Sequence, residues 1–421
     1  MKPTVLVAAT ERWFPTARLA MALRNAGCVV EIVCPSGHPV SKTCAARRIH
    51  RYNGLLPLRS LVRAIDTANP DLVIPADDLA TRHLHDLYRR ANHLGTNGSR
   101  VCALIERSVG SPEGFDIVYA RTPFLRLAKA EGIRVPQTEV VADQAELLNW
   151  IPRMGFPVVL KADASSGGDG VRIVKTVEEA QGAFRKLHAP PLLARAVKHA
   201  LIDRDLNLLG PSLFQRRPTV NAQAFVSGHE ATSIMTCWDG TVLASLQFEV
   251  LQKVKSTGHA TVVRAIEHPE IASAGVKIAR RLKLSGFYGL DFMLEAGTKN
   301  PYLIEINPRT TQVGHLALGP ARDLPAALYA AVTGNTVVPS PPVTANDTIA
   351  LFPQEWKRDP ASPFLLSAYH DVPWAEPELV RACASQVRNR SEQHSVEPAI
   401  EHRSVSSSPI SAPVAKSQAA D

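Results

Sequence analysis

The 421-residue chain lacks the marks of several large protein classes. Its six cysteines form no CxxC pair and do not cluster with histidine, which fits reduced thiols in a cytosol better than a disulfide framework or a zinc module. No stretch reaches the roughly 18 apolar residues of a membrane-spanning helix, and the apolar run at 5–9 is too short for a secretory signal. A cytoplasmic protein without membrane partners is therefore expected. No GxGxxG follows the first predicted strand, so a dinucleotide site is not indicated. Nucleic-acid signatures are missing too: there is no RNP, zinc-finger or helix-turn-helix pattern. The net charge of +8, from 47 Lys and Arg against 39 Asp and Glu, is mild for this length and suits a small polyanionic ligand. The basic groups Arg195, Lys198, His199, Arg204 and Arg216, Arg217 read as solvated faces. There is no internal repeat.

What the sequence does contain is enough chain for two or three domains, each with its own core. Residues 1–95 spell β-α-β-α-β: TVLVAA, a helix at 15–25, VVEIVC, the helix LPLRSLVRAIDTA and DLVIPADD. Right-handed crossovers make that a parallel sheet, which binds ligands beyond the carboxyl ends of its strands. Thr10 and Glu11 after the first strand, and Asp77 and Asp78 after the last, stand at such ends; helix capping explains them equally well. Residues 96–120, rich in Gly, Ser and Asn at their start, read as a linker. At 269–282, Ile271, Ala274, Ile278 and Leu282 make the apolar stripe of a packing helix. Residues 336–384, with Trp356, Phe364, Tyr369 and Trp374, form a small segment suited to docking. From 385 to 421 the chain is Ser-rich and poor in aromatics, and disorder is expected.

The most informative stretch is the pair YGLDFML and PYLIEINPR. Residues 288–295 and 301–308 are aromatic and β-branched enough for strands, and AGTKN between them is a five-residue hairpin loop. A hairpin symmetric about Thr298 sets Asp291 opposite Glu305. Strict alternation places Leu303, Glu305, Asn307 and Arg309 on one face, and Ile304 and Ile306 on the other. Facing Cβ atoms lie roughly 4.5–5.5 Å apart, so the two carboxylates repel unless a cation sits between them. Mg²⁺ takes oxygen ligands, holds few protein carboxylates and completes its shell with phosphate and water. Asp291, Glu305 and Asn307 supply such oxygens, and Arg309 a forked donor for an anion. The bland alternative is an exposed hairpin edge with solvated charges.

A second stretch, FPVVLKADASSGGDGVRIV, reads as a strand at 158–161, a loop at 162–170 and a strand at 171–174. Gly167, Gly168 and Gly170 allow main-chain amides to close on phosphates, with Lys161 as a point charge. The lysine precedes the glycines and a strand follows them, the reverse of a GxxxxGK[ST] loop running into a helix. Here the alternative is an ordinary flexible turn.

Taken together and in this order, residues 121–335 resemble the ATP-grasp superfamily, and within it single-chain relatives of the carbamoyl phosphate synthase and biotin carboxylase branch. The resemblance implies a Rossmann-like parallel sheet followed by a two-subdomain ATP-grasp fold, α/β and then α+β, with ATP and Mg²⁺ or Mn²⁺ as cofactors. It implies that Lys161 and the loop Ser165, Ser166, Gly167, Gly168 and Gly170 cover the phosphates. Arg121 takes the earlier basic position, with Arg126 and Lys129 as neighbours of the same charge. Gln223, Ala224, Phe225 and Val226 take the adenine hinge, with Gln215 a rival for the amide. Asp291, Glu305 and Asn307 become metal ligands, Asp291 with a shorter reach than the Glu or Gln frequent there. Lys161 and Arg309 become the catalytic cations; His315 matches a histidine of variable role and reads as structural. The implied activity is ligation of a small carboxylate, activated as an acyl phosphate, to an amine. Phosphorylation of bicarbonate and ATP binding without catalysis are the alternatives, and a homodimer is left open.

Overall fold

The computed structural model describes residues 2–91, 95–163, 170–190, 212–214, 216–255, 258–336 and 341–394. The first sheet is parallel, in the order β3-β2-β1-β4, with β1 at Thr4–Ala8, β2 at Val29–Cys34, β3 at Arg48–Arg51 and β4 at Leu72–Pro75. Alternate residues of β1 enter different cores. Val5 and Val7 pack with Leu19 and Leu23 of helix α1 (Phe14–Asn25), while Leu6 and Ala8 pack with Leu61 and Ile65 of α2 (Pro57–Ala68). Both faces are thus covered, as a parallel sheet requires. The short basic edge strand β3 has no counterpart in the expected β-α-β-α-β order.

The expected linker at 96–120 is a correction. Helix α4 (Gly95–Val109) follows α3 (Asp78–Ala91), and its Leu104, Ile105 and Val109 enter the same core as Leu84 of α3. Its end is fixed twice: the amide of Val73 donates to Ser108 Oγ at 2.9 Å, and the chain then turns through Gly110 against the 283–286 turn. Gly286 has φ +83°, and a Cβ there would lie 2.4 Å from the carbonyl of Ser108. A Gly286→Ala variant is expected to lose about 2–4 kcal/mol, from the positive φ and the clash together, and chemical denaturation measures that loss directly.

The grasp begins with α5 (Arg121–Ala130). One antiparallel sheet, in the order β5-β8-β6-β7, joins Thr138–Val141, Val220–Ala224, Val158–Ala162 and Val171–Val174. Helices α6 (Gln144–Met154) and α7 (Val177–His188) close its core over Trp150 and Phe184. A seven-stranded sheet follows, in the order β13-β12-β9-β10-β11-β14-β15. Its strands are β9 (Gly228–Trp238), β10 (Thr241–Lys253), β11 (Ala260–Ala265), β12 (Gly286–Glu295), β13 (Pro301–Asn307), β14 (Thr348–Ala350) and β15 (Tyr369–His370). The helix Pro269–Leu282 buries Ile271, Ala274, Ile278 and Leu282 against it, the stripe its periodicity predicts.

The segment after 340 docks by strand addition, β14 on β11 and β15 on β14. Asp371, just past β15, is buried between Arg18 of α1 and His315, whose Nε2 is 2.6 Å from Asp371 Oδ2. One carboxylate therefore ties the first domain, the grasp and the last segment together. His315, expected to be a hydrogen-bonded core residue, has its ring nitrogen on this carboxylate. The final helix, Pro377–His394, runs past the point at which a disordered tail was expected to begin; the rest of that tail, 395–421, lies outside the described residues.

Candidate active site

A cavity of about 310 Å³ is lined by the four-stranded antiparallel sheet and the seven-stranded sheet. Alternation along β6 explains how Lys161 reaches it: Val158 and Leu160 enter the core behind the sheet, while Val159 and Lys161 line the cavity. Val171 and Ile173 of β7 do the same from the next strand. With Phe225, Val250, Met293 and Ile304 they give the cavity apolar lining, while Lys161, Arg121, Asp291, Glu305, Asn307 and Arg309 give it polar lining. A cavity with both kinds of lining suits a ligand that joins a flat base to a charged tail.

Asp291 pairs with Glu305, as expected, although the register between this pair and the loop is shifted by one residue. The expected faces are a correction. Phe292 pairs with Leu303, so Ile304 is an extra residue and the strand is bulged at that point. The bulge sends Leu303 into the core with Ile306 and turns Ile304 to the cavity beside Glu305 and Asn307. Strict alternation cannot do this; a bulge re-aims side chains and commonly lies beside functional sites.

Charges of both signs are buried close together among the polar lining residues. Burial, and then Glu305, push the Asp291 carboxyl up to about 6; hydrogen bonds from Asn307 and Thr232 hold it back only in part. Asn307 Nδ2 donates to Asp291 Oδ2 at 2.9 Å, leaving its amide oxygen as a further donor atom. Glu305 is engaged by Arg121, whose Nη2 lies 2.8 Å from Glu305 Oε1. Arg121 opens α5, and its terminal nitrogens also approach the carbonyl of Ala162 at 3.4 Å and Asp163 at 3.8 Å. Lys161 is 5% exposed; burial, and then Arg121, bring its ammonium down to about 8. Two opposed carboxylates, the Asp291 carboxyl raised by burial, together with an amide oxygen, form a hard-oxygen donor set that fits a divalent cation. Buried polar atoms without a partner among the described residues, Arg121 Nε, Thr311 Oγ1 and Gln312 Oε1, add unspent hydrogen-bonding capacity.

The expected hinge residues Ala224, at the end of β8, and Phe225 and Val226 after it line the cavity, as does Gln223, whose amide nitrogen is 3.0 Å from Thr138 Oγ1. Gly170 closes the loop, its carbonyl accepting from the Ala162 amide at 2.9 Å. Ser165, Ser166, Gly167, Gly168 and the rival Gln215 lie outside the described residues. Arg309 reaches the cavity but pairs with Asp78 of the parallel-sheet domain, Nε to Oδ2 at 3.0 Å. Asp77 is a cap: its Oδ1 accepts from the Ala80 amide at 2.8 Å, and burial works to raise its carboxyl. Sequence reasoning missed Trp13, Glu230 and His259 in the lining. Glu230 alone carried a signal, since it follows the hinge directly in FVSGHE and is paired to Lys253 at 2.6 Å.

Residues 121–318 match the family described as carbamoyl-phosphate synthase L chain, ATP binding domain. The chain is 24% identical over 337 residues to the carbamoyl phosphate synthase arginine-specific large chain of Halalkalibacterium halodurans, an alignment covering 75% of this chain and 28% of that protein. The chain thus spans less than a third of that relative's length. In fold it resembles N5-carboxyaminoimidazole ribonucleotide synthetase of Thermus thermophilus, with TM-score 0.56, 15% identity and 80% of each chain covered. It also resembles the biotin carboxylase domain of the Hydrogenobacter thermophilus 2-oxoglutarate carboxylase, solved with MgADP, ADP and bicarbonate, with TM-score 0.55, 16% identity and coverage of 81% of this chain and 72% of that one. Among the described residues no helix is long and apolar enough to cross a membrane. Residues 121–318 thus match that ATP-binding domain family, and the chain shares its fold with these solved structures.

Proposed function

We propose that the protein is an ATP- and Mg²⁺-dependent carboxylate–amine ligase. One observation carries the reading: Asp291 and Glu305 oppose each other in the lining of a cavity that Lys161, Arg121 and Arg309 also line. Asp291, Glu305 and the amide oxygen of Asn307 would hold the metal ion, whose chemistry is to neutralise phosphate oxygens during transfer. Lys161 and Arg121 bind the nucleotide tail, and Arg309 meets charge gathering on the transferred group. A substrate carboxylate attacks the terminal phosphorus of ATP, giving an acyl phosphate and ADP. An amine then attacks the acyl carbon, expelling phosphate and losing a proton. The apolar lining, with the hinge main chain at Phe225 and Val226, holds the base.

The test is an ATP-plus-hydroxylamine screen across small organic acids, scored for hydroxamate and ADP together. Hydroxamate formed with one acid and not with the others supports the reading and names the acid. ADP release that requires bicarbonate and nothing else points instead to a carboxylase-type reaction. Tight ATP binding without turnover on any acid overturns the ligase reading.

A further inference from the structure

We propose that Asp78 and Trp13, both in the parallel-sheet domain, are positioning residues for Arg309, so that this arginine of the grasp is set by the domain docked beside it. The role of Arg309 rests on the ligase reading; its placement does not. Arg309 Nε lies 3.0 Å from Asp78 Oδ2, its Cζ lies 5.3 Å from the centroid of the Trp13 ring, and its Nη1 donates to the carbonyl of Thr310 at 3.0 Å. A planar guanidinium fixed by a carboxylate, an aromatic face and a carbonyl has little freedom to turn.

The main chain is held from the same side. Thr81 Oγ1, three residues after Asp78 on α3 and fully buried, donates to the carbonyl of Pro308 at 2.7 Å. Asp77 makes the platform rigid, accepting from the Thr10 amide and the Thr10 hydroxyl, both at 2.7 Å, as well as capping α3. The start of α3 and the loop leading to Trp13 therefore move as one unit against Pro308 and Arg309. Asp78 is 40% exposed, so its ion pair contributes little to stability, and its effect is on direction. Small misplacements of a group that meets the reacting atoms cost about 10²-fold in rate.

The experiment compares full-length Asp78→Ala, Asp78→Asn, Trp13→Leu and Trp13→Phe with the wild type. It measures kcat with the acid found by the hydroxamate screen, ADP affinity, and hydrogen–deuterium exchange. Asp78→Ala and Trp13→Leu are expected to lower kcat by about 10²-fold with ADP affinity unchanged, and to speed exchange at 308–314 but not at the hinge, 220–226. Trp13→Phe keeps an aromatic face and is expected to restore most of kcat. Wild-type kcat in Asp78→Ala, or unchanged exchange at 308–314, overturns the proposal. If no acid supports turnover by the wild type, the ligase reading fails and the exchange pattern alone decides the placement of Arg309. If Asp78→Ala exchanges faster throughout, the shape-conserving Asp78→Asn decides.

Discussion

Replacing Lys161 with methionine is expected to slow acid-dependent ADP release sharply and, at the same time, to raise the melting temperature of the ligand-free protein. The two effects have one cause. Burial first, and Arg121 second, bring the ammonium from 10.5 down to about 8 in the folded protein. Below about pH 8 both folded and unfolded chains carry the proton, so the folded state bears the whole penalty; the penalty is relieved only as pH rises from about 8 towards 10.5. Its upper size is about 3 kcal/mol. Methionine keeps an apolar stem of similar reach and removes the charge. A nucleotide reverses the balance by supplying phosphate oxygens, so ADP should stabilise the wild type well and the variant poorly. The expected loss in kcat/KM is about 10²–10³-fold, the scale for removing one preorganised donor from a transition state. Binding of ADP at pH 8.5 should also take up protons in the wild type and not in the variant, as calorimetry in buffers of different ionisation enthalpy would show. Wild-type turnover by the methionine variant would remove Lys161 from the mechanism.

How far such a site is legible in a sequence depends on the distance over which its contacts are made. The pairing of Asp291 with Glu305 matches a hairpin symmetric about Thr298, but beside the loop the register is one residue off, Phe292 pairing with Leu303, and the bulge restores it. The bulge at Ile304 was not legible: it is fixed by what Leu303 packs against across the sheet, and PYLIEIN reads as simple alternation. Lys161 was legible for the local reason that it alternates with core residues of β6. Helix α4 was hidden behind its own first residues, GTNGS, which carry turn chemistry although Leu104, Ile105 and Val109 repeat at helical spacing further on. The edge strand β3, RIHR, has neither alternation nor an apolar run and exists because Glu31 of β2 holds Arg47 and His50 beside it. Least legible were the ion pairs Arg121 with Glu305 and Arg309 with Asp78, which join residues far apart in the chain. Charge patterning reports neighbours on one helix or strand, and these pairs exist only after three sheets have been assembled.

The Arg121–Glu305 pair bears on the second large effect, expected for Asp291→Asn: a more stable ligand-free protein that no longer gains stability from a magnesium nucleotide. In the folded protein the Asp291 carboxyl is raised from 3.8 to about 6, by burial and then by Glu305. A raised carboxyl favours folding fully only below about pH 3.8, and that contribution is lost as pH rises through about 6. At pH 7.5 the ionised group therefore works against the fold. The bare shift corresponds to about 3 kcal/mol, and water entering the cleft lowers the effective figure to about 1–2 kcal/mol. Arg121 already neutralises Glu305 at 2.8 Å, so the uncompensated charge is that of Asp291. Asparagine has the same shape and keeps an oxygen to accept from Asn307, while losing the negative charge and half its capacity as a ligand. Thermal melts at pH 7.5, with and without Mg²⁺ and ADP, separate the two contributions. The variant should start higher than the wild type and gain little, whereas the wild type should start lower and gain most when both ligands are present. The same wild-type gain should shrink below about pH 6, where a proton competes for the Asp291 oxygens. A variant that is less stable without ligand, or one stabilised by the magnesium nucleotide as strongly as the wild type, would mean that Asp291 does not face a cation at all.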